Sequence, residues 1–438
     1  LDAMKMKAGS LILNDQVGEA IQDLRRAVDD NPRDAELLTL MAQAHERDGN
    51  TELMRDMLAL AVEAAGGAPN ESLRYAQALA ATGELLTAEP ILIDALRLSP
   101  GNVSLLLPLG ELYVSIKDWP RAEAVAAELE GMDNPALLDA VTGLRAAILE
   151  GQQSTDQAIG YLQGLVDDGT AGLSAKVAIV RAHLADGDNR AALAYAQKIA
   201  ETAPDDPSLR FILASVQVVN GMNEPAEATF RALLAEDPAR TQVWMALYRS
   251  VASAGTRADE AEKVLDEALA ANPDLGELLW AKAGFLESQG DLDGAIAIYE
   301  QLYAKNSANM IIANNLASLI TTHRSDDESL TRAELIARRL RGSTVPAYQD
   351  TYGWIAYRRG QLNEAEAELA KAAEGLPEDA SVQYHYGMAL LAQGKKPEAA
   401  RQFARVIDLA PAGDTRPFVE ESRKTAESLA AEGVTPGE

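Results

Sequence analysis

Prolines recur along this chain at intervals close to multiples of 34 residues, and this spacing limits the possible folds more than any other feature. The recurring prolines are Pro32, Pro100, Pro135, Pro204, Pro238, Pro273, Pro377 and Pro411, separated by 68, 35, 69, 34, 35, 104 and 34 residues. A fixed period in this range is typical of a stack of similar supersecondary units and not of one globular core. We therefore expect the function to lie in a surface and not in a catalytic pocket.

Alanines keep the same register as the prolines. One lies twelve residues before most of them: Ala20, Ala88, Ala192, Ala226, Ala261, Ala365 and Ala399. In residues 353–377, a first helix around Trp354 is followed by a turn at Gly360 and a second helix that Gly375 and Pro377 end. Because two antiparallel helices of ~14 residues cannot bury both apolar faces alone, the pattern predicts that neighbouring units cover one another.

This register resembles that of the tetratricopeptide repeat, a helix–turn–helix unit. Twelve units can be counted, ending near residues 34, 68, 102, 137, 171, 206, 240, 275, 309, 345, 379 and 413. The resemblance implies an all-α fold, a right-handed α-solenoid whose first helices line a concave face. It also implies that this face binds an extended peptide or a helix of a partner protein.

The domain prediction follows from the same register. Residues 1–413 are predicted to form the superhelix, with a longer insertion near 322–329 that we expect to be a polar loop. Residues 414–432 are predicted to form a C-terminal helix that covers the last unit, and 433–438 a disordered tail. No initiator methionine opens the chain and no capping helix precedes Leu1. We therefore expect these residues to be a processed or trimmed part of a longer protein.

Charge and composition argue against several kinds of partner. The net charge is −28, of which residues 1–323 carry −24. Such an acidic body repels phosphate backbones, so we expect no nucleic-acid partner. No apolar run reaches the ~20 residues of a membrane span, so we expect this segment not to insert into a membrane. The absence of cysteine excludes disulfides and thiol nucleophiles.

Motifs that carry chemistry are missing from the sequence. The four histidines, His45, His183, His323 and His385, have no metal-ligand spacing, and there is no phosphate-binding glycine loop or nucleophile elbow. Paired carboxylates such as Asp205-Asp206 fall at predicted helix ends, where they cap helices. We therefore predict a protein without enzymatic activity, cofactor or metal, whose oligomeric state the sequence leaves open.

The concave face is the remaining candidate site. Aromatic, arginine and asparagine side chains are predicted to point inward from the later first helices, and these types suit partner anchoring. The candidate residues are Arg249, Trp280, Asn314, Asn315, Trp354, Tyr357, Arg358 and Tyr384. Asn315 matches an asparagine that peptide-binding members of the resembled family use against the peptide backbone. An alternative is that Trp280 and Trp354 fill the core between repeats.

The last four units are similar to one bacterial branch of the family. The similarity rests on the segments 314–317, 348–354 and 384–387, and the branch includes lipoproteins of the PEP-CTERM/exosortase system and exopolysaccharide-export scaffolds. It implies a scaffold in a bacterial envelope complex, periplasmic or associated with the outer membrane, with an upstream lipid anchor. A cytoplasmic location is the alternative. An assembly subunit that uses solenoid ends or the convex face is the alternative function, and an enzyme would require a catalytic domain upstream.

Overall fold

A computed structural model of the chain describes residues 1–132, 134–152, 155–169, 172–253, 255–411 and 413–435. Within these ranges the secondary structure consists of 25 α-helices and two short 3₁₀ turns at Pro135–Leu137 and Arg338–Leu340, without any strand. The predicted all-α fold class, built from about twelve helix pairs and a C-terminal helix, is confirmed.

The helices form twelve consecutive pairs, each made of a first and a second helix, followed by one further helix. In chain order they are α1 (Asp2–Leu13), α2 (Val17–Asp30), α3 (Ala35–Arg47), α4 (Thr51–Ala64), α5 (Pro69–Ala81), α6 (Leu85–Leu98), α7 (Val103–Ser115), α8 (Trp119–Glu130), α9 (Leu138–Gln152), α10 (Thr155–Asp167), α11 (Leu173–Ala185), α12 (Asn189–Thr202), α13 (Pro207–Val219), α14 (Asn223–Glu236), α15 (Thr241–Ser253), α16 (Ala258–Ala271), α17 (Gly276–Gln289), α18 (Leu292–Lys305), α19 (Met310–His323), α20 (Asp327–Ala337), α21 (Pro346–Arg358), α22 (Leu362–Gly375), α23 (Ala380–Ala392), α24 (Lys396–Leu409) and α25 (Pro417–Ala431).

Small residues bring the two helices of a pair together, as their register predicts. The seven recurring alanines are each at most 1% exposed. On α21, a Cβ added to Gly353 would lie 2.7 Å from Leu369 Cγ of α22, and one added to Gly387 of α23 would lie 3.0 Å from Phe403 of α24. Any larger side chain at these positions would push the second helix away, because protein interiors have no room to absorb it.

The turn between the two helices of a pair has its own register. In most pairs a glycine with positive φ occupies it: Gly49, Gly83, Gly187, Gly221, Gly255, Gly290, Gly360 and Gly394. In two other pairs Asp15 and Lys117 occupy the equivalent position, both at φ 59°. A residue with a side chain in this left-handed region raises the conformational energy of the backbone, so Asp15 and Lys117 are each held in a strained conformation.

The expected loop at residues 322–329 is mostly helical. Helix α19 ends at His323 and α20 begins at Asp327, which leaves three connecting residues. Asp326 caps α20, because its Oδ1 accepts the backbone N–H of Ser329 at 2.8 Å. The acidic run that follows favours a helix N-terminus, both by capping and by its interaction with the helix dipole. The sequence prediction of a protruding loop is therefore corrected to a capped helix start.

The chain divides into two compact units. The terminal unit contains residues 1–57 and 283–438, and the central unit contains residues 58–282. Each unit has its own apolar core, such as the cluster around Leu105 in the central unit and the cluster around Phe403 in the terminal unit. In the terminal unit, α25 packs on α23 and α24 with Val419 fully buried. The residues predicted as a disordered tail, 433–438, lie partly outside the described part of the chain.

No helix in the described ranges is long and apolar enough to cross a bilayer. In the same ranges no group of three or more histidine, aspartate or glutamate side chains is arranged to hold a metal ion.

A buried ion pair joins successive repeats of the central unit. Glu227 on α14 is 8% exposed and accepts hydrogen bonds from both terminal nitrogens of Arg257 at 2.9 Å. The Ser250 hydroxyl donates to the same carboxylate at 3.1 Å. The Arg257 guanidinium lowers the pKa of Glu227 below its ordinary value, although burial alone would raise it. The carboxylate of Glu227 thus ties α14 to α15 and to the start of α16.

Glu227→Gln is expected to lower the free energy of unfolding of the central unit by about 1–3 kcal/mol at pH 7. The pKa of Glu227 is lower in the folded protein than in the unfolded chain. The ionised carboxylate therefore contributes fully to the free energy of unfolding at a pH above ~4.3, the pKa of an unfolded glutamate. This contribution is lost as the pH falls through the folded pKa, so the variant should show a shallower loss of stability below about pH 5. Urea unfolding at pH 7 and in acid measures both effects.

Glu260→Gln is the matched control, since Glu260 also pairs with Arg257, at 2.8 Å, but has a side chain that is 39% exposed. Its expected cost is below ~1 kcal/mol. An unchanged acid profile in Glu227→Gln would contradict the assignment.

Candidate functional site

The central unit carries an open apolar groove across three successive first helices. It encloses about 590 Å³ and is lined by residues of α11, α13 and the start of α15. The residues lining it are Leu173, Val177, Val180, Arg181, Leu184, Pro207, Ser208, Phe211, Ile212, Ser215, Val216, Val219, Ala239, Arg240, Thr241, Gln242 and Val243. We call this surface the α11–α15 groove.

Aliphatic and aromatic side chains of the groove are open to solvent. Leu173 is 44% exposed and Val219 is 50% exposed. Phe211 is half-buried, and its ring packs on that of Phe230 on α14 with centroids 5.9 Å apart. Ile212 and Val216 form the buried floor. Several apolar side chains on one concave surface are a recurrent feature of binding sites, because their removal from water drives association.

Local sequence signals hold the groove helices in place. Asp206 caps α13, with its Oδ1 accepting the backbone N–H of Ser208 at 2.7 Å and of Leu209 at 3.3 Å, and Pro207 occupies the first helical position. At the other edge, Trp244 Nε1 donates to the Pro238 carbonyl oxygen at 2.9 Å. A cap and an anchored loop reduce the conformational freedom of the lining segments, so the groove is largely preformed.

Two arginines lie at the groove and differ in their bonding. Arg240 pairs with Asp237, with Nε 3.3 Å from the carboxylate. Arg181 is exposed and makes no ion pair or hydrogen bond with any residue that the structure describes. A free guanidinium beside an apolar surface suits a partner segment that carries one acidic group next to apolar side chains.

The sequence-based candidates of the central unit lie on α15 and α17. Arg249 is exposed, and Trp280 is half-buried. Neither lines the α11–α15 groove. The groove is lined mainly by aliphatic side chains, whereas the candidates predicted from the sequence are aromatic, arginine and asparagine residues. The available signal was a set of apolar residues on first helices, such as Val177 and Val219, outside the positions that pack a pair together.

The other six candidates lie in the terminal unit, where three of them, Trp354, Tyr357 and Tyr384, form part of a packed aromatic layer. Trp354 is 9% exposed and stacks on Tyr357 at 4.8 Å and on His385 at 4.1 Å between ring centroids. Tyr384 is 7% exposed, and its hydroxyl donates to Glu421 of α25 at 2.7 Å. Burial and the Glu421 carboxylate raise the pKa of Tyr384 above its ordinary range.

Tyr357 of this layer is half-exposed, and so is Arg358, the next residue in the chain. Arg358 Nη1 donates to the Thr321 carbonyl oxygen at 2.7 Å, so this arginine holds the C-terminal turn of α19. Asn315 donates to the Tyr299 hydroxyl at 3.2 Å. Asn314 donates to Asn315 at 3.2 Å, while its own Oδ1 has no hydrogen-bond partner among the described residues. These side chains all have structural contacts, and their contact with a partner stays a prediction.

Family models described as tetratricopeptide repeat match residues 183–249 and residues 251–310 and 353–414, which together make up less than half of the chain. No protein of curated function matches the sequence significantly.

Three solved structures align with nearly the whole chain at low identity. Yeast Tom70 is 15% identical, with 98% of this chain and 96% of that chain covered and a TM-score of 0.38. The Cut9 and Hcn1 hetero-tetramer of the APC/C is 13% identical, with 97% and 96% covered and a TM-score of 0.31. The P58(IPK) TPR domain is 12% identical, with 99% and 98% covered and a TM-score of 0.27. Nothing about the activity or the partner of this chain follows from likenesses this distant.

Proposed function

We infer that this chain belongs to the tetratricopeptide-repeat family, and we propose that it is a non-enzymatic scaffold that binds a segment of a partner protein. The observation that carries the proposal is the α11–α15 groove, with Leu173 and Val219 about half exposed beside Phe211. The groove lies largely within residues 183–249, one of the segments that a family model matches.

The energy of binding would come from apolar burial on a preformed surface. Each Å² of apolar surface removed from water contributes about 25 cal/mol, and a rigid groove limits the loss of freedom on association. The acidic body of residues 1–323 disfavours a strongly acidic partner. The partner segment therefore presents mainly apolar side chains, with one carboxylate placed to pair with Arg181.

The half-exposed and exposed sequence candidates are proposed to add contacts within their own units. These are Arg249 and Trp280 in the central unit, and Asn314, Asn315, Tyr357 and Arg358 in the terminal unit. Arginine and large aromatic side chains commonly anchor protein interfaces, since they bury much area with few rotatable bonds.

The cellular setting of the proposed scaffold is a bacterial envelope complex, periplasmic or associated with the outer membrane. The similarity of the segments 314–317, 348–354 and 384–387 to envelope scaffolds supports this setting. Fractionation of native cells tests it, since recovery of the protein with cytoplasmic markers would contradict an envelope location.

The double variant Leu173→Asp/Val219→Asp tests the groove. Peptides selected by display against the whole wild-type chain are expected to lose affinity at least ~10-fold for this variant, because two charges would enter an apolar contact. Isothermal titration with the selected peptides measures the change. The matched control is Leu60→Asp/Leu86→Asp, which changes two leucines of the same unit that are 44% and 73% exposed and lie outside the groove.

Arg181→Glu provides the second arm of the same experiment. Selected peptides that contain an acidic residue are expected to bind this variant ~5–10-fold more weakly. Circular dichroism checks that all variants keep wild-type helicity. If the selected peptides bind the wild type and the Leu173→Asp/Val219→Asp variant with equal affinity, the groove is not their binding site and another face binds them.

A further inference from the structure

A cluster of buried charges lies where the N-terminal residues of the terminal unit meet its later repeats. Asp15 and Arg47 come from the first two pairs, and Tyr303, Arg332 and Arg339 from the ninth and tenth. Asp15, Arg47 and Arg339 are at most 5% exposed. We call this cluster the arginine junction.

Arg47 is bonded within the junction through both of its terminal nitrogens. Its Nη1 donates to Asp15 Oδ1 at 3.0 Å and to the Tyr303 hydroxyl at 3.2 Å, and its Nη2 donates to Ser307 Oγ at 2.7 Å. The Tyr303 hydroxyl in turn donates to Asp15 Oδ1 at 2.7 Å. Burial, together with the nearby Asp15 carboxylate, raises the pKa of Tyr303 to about 12, so this hydroxyl keeps its proton.

Arg332 uses the remaining oxygen of Asp15. Its Nη1 donates to Asp15 Oδ2 at 3.2 Å, and its Nε and Nη2 donate to the Glu300 carboxylate at 3.3 and 3.0 Å. Both oxygens of Asp15 are therefore occupied by Arg47, Tyr303 and Arg332. None of the hydrogen bonds that Asp15 accepts comes from the third arginine, Arg339.

Arg339 is the third arginine, and it has no partner. It is 3% exposed, and its Nε, Nη1 and Nη2 are all buried without a hydrogen bond to any described residue. Burial and the nearby Arg47 charge lower the pKa of Arg339. A guanidinium stays protonated even so, and a buried charge without a counter-ion is among the costliest arrangements in a protein.

The backbone holds Arg339 in this position. Gly49 has a positive φ of 72°, and a Cβ added there would overlap the carbonyl oxygen of Arg338. The 3₁₀ turn Arg338–Leu340 also contacts α3, α19, α20 and α21. Because the turn is packed on several sides and directly on Gly49, Arg339 is buried as a consequence of how the N-terminal repeats pack on the tenth.

No carboxylate of the junction bonds the Arg339 guanidinium. Asp15 and the more exposed Glu300 pair with Arg47 and Arg332, and Glu46, whose charge also acts on Arg339, is exposed and makes no hydrogen bond to it. We propose that a small inorganic anion, of the size of chloride or phosphate, binds the Arg339 guanidinium and supplies a negative charge in direct contact with it. Since the guanidinium is closed off from solvent, the anion is enclosed when residues 1–57 pack on the later repeats, and its binding stabilises that packing.

Thermal unfolding of the whole chain at constant ionic strength tests the proposal. The wild type in sodium gluconate is titrated with sodium chloride and, separately, with sodium phosphate. A saturating anion is expected to raise Tm by about 3–8 °C. A response to chloride identifies a monatomic ion and a response to phosphate an oxyanion, and either result supports the site.

Arg339→Met keeps a long side chain and removes the charge. Its Tm in gluconate is expected to equal or exceed that of the wild type, because replacing an unsatisfied buried charge by an apolar group relieves its desolvation. Its Tm should not respond to chloride or phosphate. The matched control, Arg26→Met, removes an exposed arginine of the same unit and should respond to the anions as the wild type does.

Crystals of the whole chain soaked in bromide give a second readout. An anomalous peak within hydrogen-bonding distance of the Arg339 guanidinium supports a halide-sized site. The proposal is overturned if the wild type and Arg339→Met respond equally to the anions, or if the wild type does not respond at all. It is also overturned if Arg339→Met is strongly destabilised in every buffer, as expected when the protein itself partners the guanidinium.

Discussion

Trp354→Ala is expected to lower the free energy of unfolding of the C-terminal repeats by about 3–5 kcal/mol. The indole is 9% exposed and lies between the rings of Tyr357 and His385, with Tyr384 tilted against it at 6.0 Å. Removing it leaves a cavity in a layer that joins α21 to α23, and offset or tilted aromatic pairs add to the loss. Hydrogen exchange of α21–α25 measures the effect directly.

Two further variants control this experiment. Trp354→Phe keeps a ring in the layer and should cost less than the alanine variant. Tyr357→Ala removes a half-exposed ring, with an expected cost of about 1–2 kcal/mol. Stability of Trp354→Ala within ~0.5 kcal/mol of the wild type would contradict the packing role. Because Trp354→Ala disturbs the fold, Tyr357→Ala is the variant that tests partner contact at this surface.

Asp15→Asn is expected to destabilise the packing of residues 1–57 on the later repeats by about 3–5 kcal/mol. The change keeps the shape of the side chain, and asparagine tolerates the positive φ of this position. It removes the one carboxylate that both Arg47 and Arg332 contact. Arg47 would then be buried without a counter-charge, which is more costly than losing the pair as a whole.

Hydrogen exchange in α1–α3 is the measurement, with faster exchange expected in the variant. Asp48→Asn is the matched control, since Asp48 pairs with Arg341 at 3.4 Å in a half-exposed setting and should contribute at most ~1 kcal/mol. Arg47→Met combined with Asp15→Asn should cost less than the sum of the single changes. Additive losses would show that the two side chains act independently and would contradict the network.

Most of the fold was predictable from the fixed spacing of small residues and prolines within each repeat. The alanines at a fixed distance before each proline are buried because they hold the two helices of a pair at close range, and this contact repeats with the period of the chain. The expected loop at 322–329 was wrong, since its acidic residues were interpreted as solvated and not as the start of α20. The position of Asp326 before an apolar helix was the available signal.

The candidate sites depended on contacts that a local period does not encode. The packing of Asp15 near Tyr303 joins residues 288 positions apart, and no repeat rule predicts such a pairing. One signal did exist: Asp15 stands where most other pairs have a glycine with positive φ. A residue that accepts backbone strain where glycine is the rule is often held by tertiary bonds, and here three side chains bond to its carboxylate.

The terminal unit is assembled from both ends of the chain, and this order matters during synthesis. The first 57 residues leave the ribosome before residues 58–282 are made, and their packing surface begins only at residue 283. At a translation rate of about 5–20 residues per second, they wait on the order of 10–45 seconds. During that interval Asp15 and Arg47 lack their partners Tyr303 and Arg332. The apolar sides of α1–α3 that later become buried are then open to chaperones or to a neighbouring nascent chain.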